Sequence, residues 1–197
     1  MSDAMERTKV PIGRAVRTVF LDRDGVINEK APEGEYIRRA EDLKLLPGAA
    51  AAIARLNRAG VRVVVVTNQR GVALGYFSQE DVLKIEATLE KMLADDGARL
   101  DGFYFCPHDE GACNCRKPLP GLFDQARADF SEIDPASSVM IGDSLSDIEF
   151  GQNLGMRTIF IEGPAKLQRS GAERARELAD ARFMSVVEAL DALLNCG

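Results

Sequence analysis

Three aspartates stand directly after short apolar runs of the chain or close behind them, and together they could hold a metal ion. These residues are Asp22, Asp24 and Asp143. Two carboxylates about 4 Å apart repel each other by about 4 kcal/mol at an effective dielectric constant of ~20, so such a group needs a cation or a proton. Magnesium prefers carboxylate oxygens and keeps water and phosphate oxygens as its remaining ligands. The three aspartates therefore predict a Mg²⁺ site that also receives a phosphorylated molecule.

The same region of the sequence carries the side chains that a phosphoryl transfer needs. Asp22 could attack phosphorus, and Asp24 could protonate the leaving alkoxide and later activate water. The hydroxyl of Thr67 could hold phosphoryl oxygens, and Lys117 could offset their charge. Taken singly, acidic residues after strands are commonly turn formers or helix caps. Their joint occurrence in one order favours catalysis.

A second candidate metal site comes from sulfur and nitrogen ligands. Three of the four cysteines and the only histidine lie together, as Cys106, His108, Cys113 and Cys115. Four such ligands with no open position form a closed tetrahedral zinc site, which is structural. The zinc would shape the loop at 106–115 so that the cations that follow it point at a phosphate. Reduced thiols flanking a strand, beside a surface histidine, are the alternative.

Strands and helices must alternate to bring these residues together. Near-continuous β-branched runs predict strands buried on both faces, at 17–21, 61–66, 102–105, 138–141 and 157–161. Helical patterns with caps fall between and after them, at 47–59, 78–96, 120–130, 147–154, 172–179 and 184–194. This alternation predicts an α/β fold, a Rossmann-like three-layer sandwich with a central parallel sheet. Ligands of such sheets bind beyond the carboxyl ends of the strands, where the aspartates stand.

Length and composition limit the class of protein. The 197 residues, 46% of them hydrophobic, predict a single domain over 1–197 with a sizeable core. The net charge is −6 and the sequence has no basic stripe, so we expect no nucleic-acid partner. No stretch reaches the roughly 18 apolar residues of a membrane helix, and residues 1–16 have no apolar signal core. We therefore expect a cytoplasmic monomer without a membrane partner that acts on a small molecule.

The order of these motifs resembles the haloacid dehalogenase (HAD) superfamily. The matching residues are Asp22-Arg-Asp24-Gly25, then Thr67, then Lys117, then Gly142-Asp143, and they cover 19–147. The resemblance implies that Asp22 is the nucleophile and Asp24 the acid and base. It also implies that Asp143 helps to bind magnesium and that Thr67 and Lys117 stabilise the phosphoryl group.

One group within the superfamily is more similar still, namely the heptose bisphosphate phosphatases and histidinol phosphatases. The similar segments are 20–28, 67–69, 106–108 and 113–118, the last with the sequence Cys-Asn-Cys-Arg-Lys-Pro. This resemblance implies a HAD fold without a large cap domain, and Arg116 as a substrate-binding residue. Asn68, Gln69, Arg70 and Tyr36 are further candidates for substrate binding. The chain departs from the group where Arg70 replaces a common serine, where Leu74 replaces an arginine, and in its shorter zinc loop.

The function expected from these observations is a Mg²⁺-dependent phosphomonoesterase that forms an aspartyl-phosphate. The resemblance implies a sugar bisphosphate as substrate, with removal of the 7-phosphate of D-glycero-D-manno-heptose 1,7-bisphosphate. Histidinol phosphate or another small phosphate ester is the alternative substrate. A zinc-containing interaction module on an inactive HAD fold is the non-enzymatic alternative.

Overall fold

The computed structural model describes residues 16–32, 34–164, 168 and 170–195, and it has the predicted α/β architecture. Six parallel strands form one sheet in the order β3-β2-β1-β4-β5-β6. The strands are β1 Thr18–Leu21, β2 Arg62–Asn68, β3 Gly102–Cys106, β4 Ser138–Gly142, β5 Arg157–Ile161 and β6 Ala181–Phe183. The helices are α1 Ala49–Arg58, α2 Gln79–Asp95, α3 Gly121–Asp129, α4 Leu145–Leu154, α5 Ala172–Leu178 and α6 Val186–Leu194.

Side-chain alternation along the central strands creates two hydrophobic layers, one on each face of the sheet. In β2, Val63 and Val65 pack in the layer that includes α1, α2 and α6. Val64 and Val66 pack on the other face, with Phe123 of α3 and Phe150 of α4. Both faces are buried because the chain has apolar residues at successive positions. The predicted three-layer sandwich is confirmed.

The strand register places the candidate residues together at the carboxyl ends of three adjacent strands. Leu21, the last residue of β1, pairs with Val65 of β2 and with Ile141 of β4. The backbone N–H of Asp22 then donates to the carbonyl of Ile141 at 3.0 Å. Because β1 lies between β2 and β4, residues that follow these three strands meet in one place.

Helix and strand limits differ from the predictions in two instructive places. The sequence pattern predicts no strand at β6, Ala181–Phe183. This strand has only three residues and pairs with β5 at the sheet edge, so its periodic signal is too short to recognise. Helix α4 begins at Leu145 because Ser144 is its N-cap, two residues before the predicted start.

Between β1 and α1 the described residues form one 3₁₀ turn, Ala40–Asp42, and no separate cap domain. Helix α2 starts with the predicted capping box, in which Ser78 and Asp81 satisfy each other's backbone N–H groups. None of the helices in the described ranges combines the length and the apolar character needed to span a bilayer.

Candidate active site

Three buried aspartates converge at the carboxyl edge of the sheet. One carboxylate oxygen each of Asp22, Asp143 and Asp147 lies within 4.8 Å of the others. Asp22 and Asp143 follow β1 and β4, and Asp147 lies on the first turn of α4. Burial raises the pKa of Asp22 to about 7 against the lowering effect of Lys117, and the neighbouring carboxylates of Asp147, Asp143 and Asp24 add to the rise. A group of hard oxygen donors with this excess of negative charge fits a Mg²⁺ ion.

Asp24, predicted as a magnesium ligand, has its carboxylate outside this group. Arg23 Nη2 donates to both of its oxygens, at 2.8 and 3.0 Å, and Asn28 Nδ2 donates at 2.9 Å. Gln69 Nε2 donates to it at 3.1 Å. Burial acts to raise the pKa of Asp24, but the charge and hydrogen bonds of Arg23 together with the hydrogen bonds from Asn28 and Gln69 outweigh it, so the pKa is lowered.

The local backbone explains why Asp22 and Asp24 diverge. The chain leaves the extended conformation after Asp22 and turns at Gly25, whose φ is 91°. A β-carbon at Gly25 would lie 2.2 Å from Asp143 Oδ2, so glycine is required both by the turn and by the approach of the aspartate. Residues i and i+2 share one side only where the backbone is extended. The third carboxylate of the group therefore comes from Asp147 and not from Asp24.

Lys117 lies between two of the aspartates. Its Nζ donates to Asp22 Oδ1 at 2.7 Å and to the Val66 carbonyl at 2.6 Å, and it forms an ion pair with Asp147 Oδ1 at 2.6 Å. Burial acts to lower the pKa of Lys117, but the carboxylates of Asp147 and Asp22 outweigh it, so the pKa is raised. The ammonium group is therefore a fixed positive charge beside Asp22.

Asn68 positions Lys117, and Ser144 positions Asp147, the ion-pair partner of Lys117. Asn68 Nδ2 donates to the Lys117 carbonyl at 3.1 Å, and the Lys117 N–H donates to Asn68 Oδ1 at 3.0 Å. Asp147 Oδ2 accepts from the N–H of Ser144 at 3.0 Å and from its hydroxyl at 2.6 Å. Sequence reasoning did not assign Asp147 a role in the site, although the Ser-x-x-Asp capping pattern directly after Asp143 was a signal for it.

Lys30 is a further charged residue that the sequence did not indicate. Its ammonium contacts the carboxylate of Asp143, and its side chain is 7% exposed. It stands in the connection after β1 where no motif marks it. The positive charges facing the three aspartates therefore include Lys30 as well as Lys117.

Thr67 lies at the carboxyl end of β2, as predicted, and lines the cavity above the aspartates. Gln69 Nε2 donates to its hydroxyl oxygen at 2.9 Å. Because the same amide donates to Asp24, the buried Gln69 connects the two residues. Its amide is engaged within the protein, so the structure places this predicted substrate-binding residue in a positioning role.

The sulfur and nitrogen ligands of the predicted zinc site also come together. Sγ of Cys113 lies 3.5 Å from that of Cys106 and 3.4 Å from that of Cys115. His108 Nδ1 lies 3.7 Å from Cys106 Sγ and 3.3 Å from Cys115 Sγ. A tetrahedral zinc ion would hold two sulfurs about 3.8 Å apart and a sulfur and a nitrogen about 3.6 Å apart. The three thiols are not joined by disulfides, and the group fits zinc.

A cavity of about 700 Å³ extends from the aspartates to a rim of two arginines. Arg70 follows β2, and Arg116 follows the zinc loop. Arg70 Nε pairs with Asp109 at 2.6 Å, and both arginines face Glu110. Tyr36 lines the cavity and packs against the rings of Tyr76 and Phe77, with centroids 5.7 and 5.9 Å away. The arrangement can hold one phosphate at the buried end and a second anion at the rim.

Comparison with known proteins gives a consistent assignment over most of the chain. The family model described as haloacid dehalogenase-like hydrolase matches residues 3–152, and a second, HAD-hydrolase-like model matches residues 114–191. Among curated proteins, the D-glycero-alpha-D-manno-heptose-1,7-bisphosphate 7-phosphatase of Mycobacterium tuberculosis is 40% identical over 86% of this chain and 87% of its own length. The corresponding beta-anomer enzyme of Vibrio cholerae is 41% identical over 71% and 77%.

A solved structure supports the same comparison. The D,D-heptose 1,7-bisphosphate phosphatase from B. bronchiseptica, in complex with magnesium and phosphate, superposes with a TM-score of 0.80. It is 28% identical, and the match covers 92% of this chain and all of that one. The similarity therefore extends over most of this chain.

Proposed function

The chain belongs to the haloacid dehalogenase-like hydrolases, and from this premise we propose that it is a Mg²⁺-dependent phosphatase that removes the 7-phosphate of D-glycero-D-manno-heptose 1,7-bisphosphate. The observation that carries this proposal is the arrangement at the sheet edge. Asp22 accepts a hydrogen bond from the ammonium of Lys117 and lies beside the carboxylate of Asp143. Relatives of similar length at 40% and 41% identity supply the substrate.

Asp22 is the nucleophile in this proposal. Lys117 contacts Oδ1, which leaves Oδ2 to attack phosphorus. The new bond joins this oxygen to phosphorus, and the bond between phosphorus and the sugar oxygen breaks with its electron pair on the oxygen. Thr67 and Lys117 would receive the phosphoryl oxygens, whose negative charge Lys117 offsets. Water then hydrolyses the aspartyl-phosphate and regenerates Asp22.

Asp24 is the proposed acid and base. Its carboxylate is held ionised by Arg23, which is the form that takes a proton from water in the second step. Delivery of a proton to the sugar oxygen in the first step requires this carboxylate to leave Arg23 and take up a proton from solvent beforehand. Gln69 donates to both Asp24 and Thr67. Movement of the Asp24 carboxylate would therefore exchange hydrogen bonds among residues that already contact one another.

Magnesium would be held by Asp22 and Asp143. Asp147 uses one oxygen for Lys117 and the other for Ser144, so it positions the lysine rather than the metal. When bound, Mg²⁺ supplies positive charge that draws the phosphoryl group to Asp22 and stabilises its oxygens.

A structural Zn²⁺ is proposed at Cys106, His108, Cys113 and Cys115. The spacing of their ligand atoms supports it, as does the position of Arg116 directly after the last ligand. Zinc would fix the loop that carries Arg116 and Lys117 into the cavity.

The rim favours a bisphosphate over histidinol phosphate. Histidinol phosphate carries an amine and an imidazole where the bisphosphate carries its second phosphate, and Arg70 and Arg116 would repel the cationic amine. We therefore expect a kcat/KM for the heptose bisphosphate at least about 100-fold above that for histidinol phosphate.

Phosphate release from purified protein tests the function. The substrates are the alpha and beta anomers of the heptose bisphosphate and histidinol phosphate, each with and without Mg²⁺. Phosphorus NMR of the product should show that the phosphate on carbon 1 remains. Absence of release from both bisphosphate anomers would overturn the proposal, and any Mg²⁺-dependent turnover that Asp22→Asn abolishes excludes an inactive interaction module.

A further inference from the structure

The rim of the cavity contains an acidic residue placed where an anionic ligand would be expected. Glu110 lies in the zinc loop, and one of its oxygens, Oε1, is 3.6 Å from Arg70 Nη1 and also 3.6 Å from Arg116 Nη2. All three residues line the cavity that begins at Asp22. This single oxygen is therefore equally far from two guanidinium groups that come from different loops.

This carboxylate is held loosely. A separation of 3.6 Å exceeds a hydrogen bond, and the Glu110 side chain is 69% exposed. Arg70 is held separately, because its Nε pairs with Asp109 at 2.6 Å. Glu110 can therefore turn out to water while Arg70 keeps its position.

The guanidinium group of Arg116 can donate to a further hydrogen-bond acceptor. Its Nη1 is buried and finds no hydrogen-bond partner among the residues that the structure describes. Buried N–H groups are almost always paired, and one left unpaired costs free energy. A phosphate offers three oxygens and twice the charge of a carboxylate, so it could bind both arginines with short hydrogen bonds.

We propose that Glu110 occupies the position of the substrate's second phosphate, between Arg70 and Arg116, and competes with it there. This inference rests on the proposed function, because it assigns the rim to the phosphate on carbon 1. That phosphate stays on the product, so the resident carboxylate weakens product binding and favours its release. Glu110 thereby limits how strongly the enzyme prefers a bisphosphate over a monophosphate.

Binding of the product class tests this role without turnover. Isothermal titration of heptose 1-phosphate, in low salt and without Mg²⁺, reports on the rim, because the three aspartates disfavour a phosphate at the buried end. In Glu110→Gln we expect the Kd to fall about two- to fivefold, the range typical of exposed ion pairs. The difference in Kd should shrink in 0.5 M salt, because the Debye length there is only about 4 Å. Arg116→Gln should raise the Kd.

A matched control is available outside the cavity. Glu41 also lies 3.6 Å from an arginine, Arg39, and both side chains are 66% exposed, but neither lines the cavity. Glu41→Gln should leave the Kd unchanged. Glu110→Asp, which keeps the charge, should bind less tightly than Glu110→Gln.

The results separate this inference from the proposed function. An unchanged or higher Kd in Glu110→Gln, or no measurable binding by either protein, would overturn the role of Glu110 even if the bisphosphate is hydrolysed. A lower Kd in a protein that releases no phosphate from the bisphosphate would support the anion position and reject the proposed function.

Discussion

The two ends of the cavity are built from similar charges but hold them in different ways. At the buried end, Lys117 and Asp147 are each 1% exposed and their charged atoms lie 2.6 Å apart. At the rim, Arg70 and Glu110 are 38% and 69% exposed and lie 3.6 Å apart. Charges interact strongly where water is excluded and weakly where it is present.

The residues proposed for the reaction lie at the buried end of the cavity, and those proposed for substrate selectivity lie at the rim. At the buried end, Asp22, Thr67 and Asp143 lie at or directly after the ends of the adjacent strands β1, β2 and β4, and Asn68 of β2 holds the backbone of Lys117. The rim is carried by loops, one of which depends on the cysteine and histidine cluster for its shape. Substitutions at the buried end should therefore abolish the reaction or destabilise the fold, whereas substitutions at the rim should change affinity by small factors.

The largest expected effect is at the nucleophile. Asp22→Asn keeps the size of the side chain and removes the attacking oxygen, so kcat for phosphate release should fall by at least about 10³-fold. Circular dichroism should show an unchanged fold. Asp96→Asn, the same substitution at an exposed helix end, should retain full activity. Substantial turnover by Asp22→Asn would mean that another group attacks phosphorus.

Removal of the buried cation should produce the largest loss of stability. Lys117→Met leaves Asp22 and Asp147 without their partner, which should cost about 3–5 kcal/mol of the free energy of unfolding. The pKa of Lys117 is raised above its ordinary 10.5, so its stabilising effect is fully present at pH 8 and is lost only as the pH rises through the folded pKa.

Urea unfolding at pH 8 measures this loss. Lys84→Met is the control, since Lys84 is 68% exposed in its ion pair with Asp81 and should change the free energy of unfolding by less than about 1 kcal/mol. The cost of Lys117→Met should decrease as the pH falls through about 7, where Asp22 takes up a proton. Equal effects of the two substitutions would show that the buried pair is not stabilising.

The metal loop gives an intermediate effect. We expect one zinc per chain by elemental analysis, and Cys113→Ser should lower both the zinc content and the melting temperature, by several degrees if it costs about 1–2 kcal/mol. Cys196→Ser, which changes the cysteine outside the described residues, is the control. A fully active, equally stable protein without zinc would contradict the assignment.

Some of these features could be predicted from the sequence and others could not. Asp22, Thr67 and Asp143 were predictable because apolar runs mark strand ends and parallel strands end at one edge. The grouping of Cys106 with its three partners was predictable from residue types within one short loop. The position of the Asp24 carboxylate was not, because it depends on the turn at Gly25 and on side chains 4 and 45 positions away.

The smallest of these expected effects concerns Lys30, which no pattern in the sequence marks. Its ammonium contacts Asp143, so it competes with Mg²⁺ for a ligand oxygen. In Lys30→Met the Mg²⁺ affinity measured by isothermal titration should rise about tenfold, since a hydrogen bond to a charged group is worth roughly 1.5 kcal/mol. Lys44→Met, at an exposed position outside the cavity, should leave the affinity unchanged. Weaker Mg²⁺ binding by Lys30→Met would show instead that Lys30 positions Asp143 for the metal, and the buried end would then use both of its lysines to hold carboxylates in place.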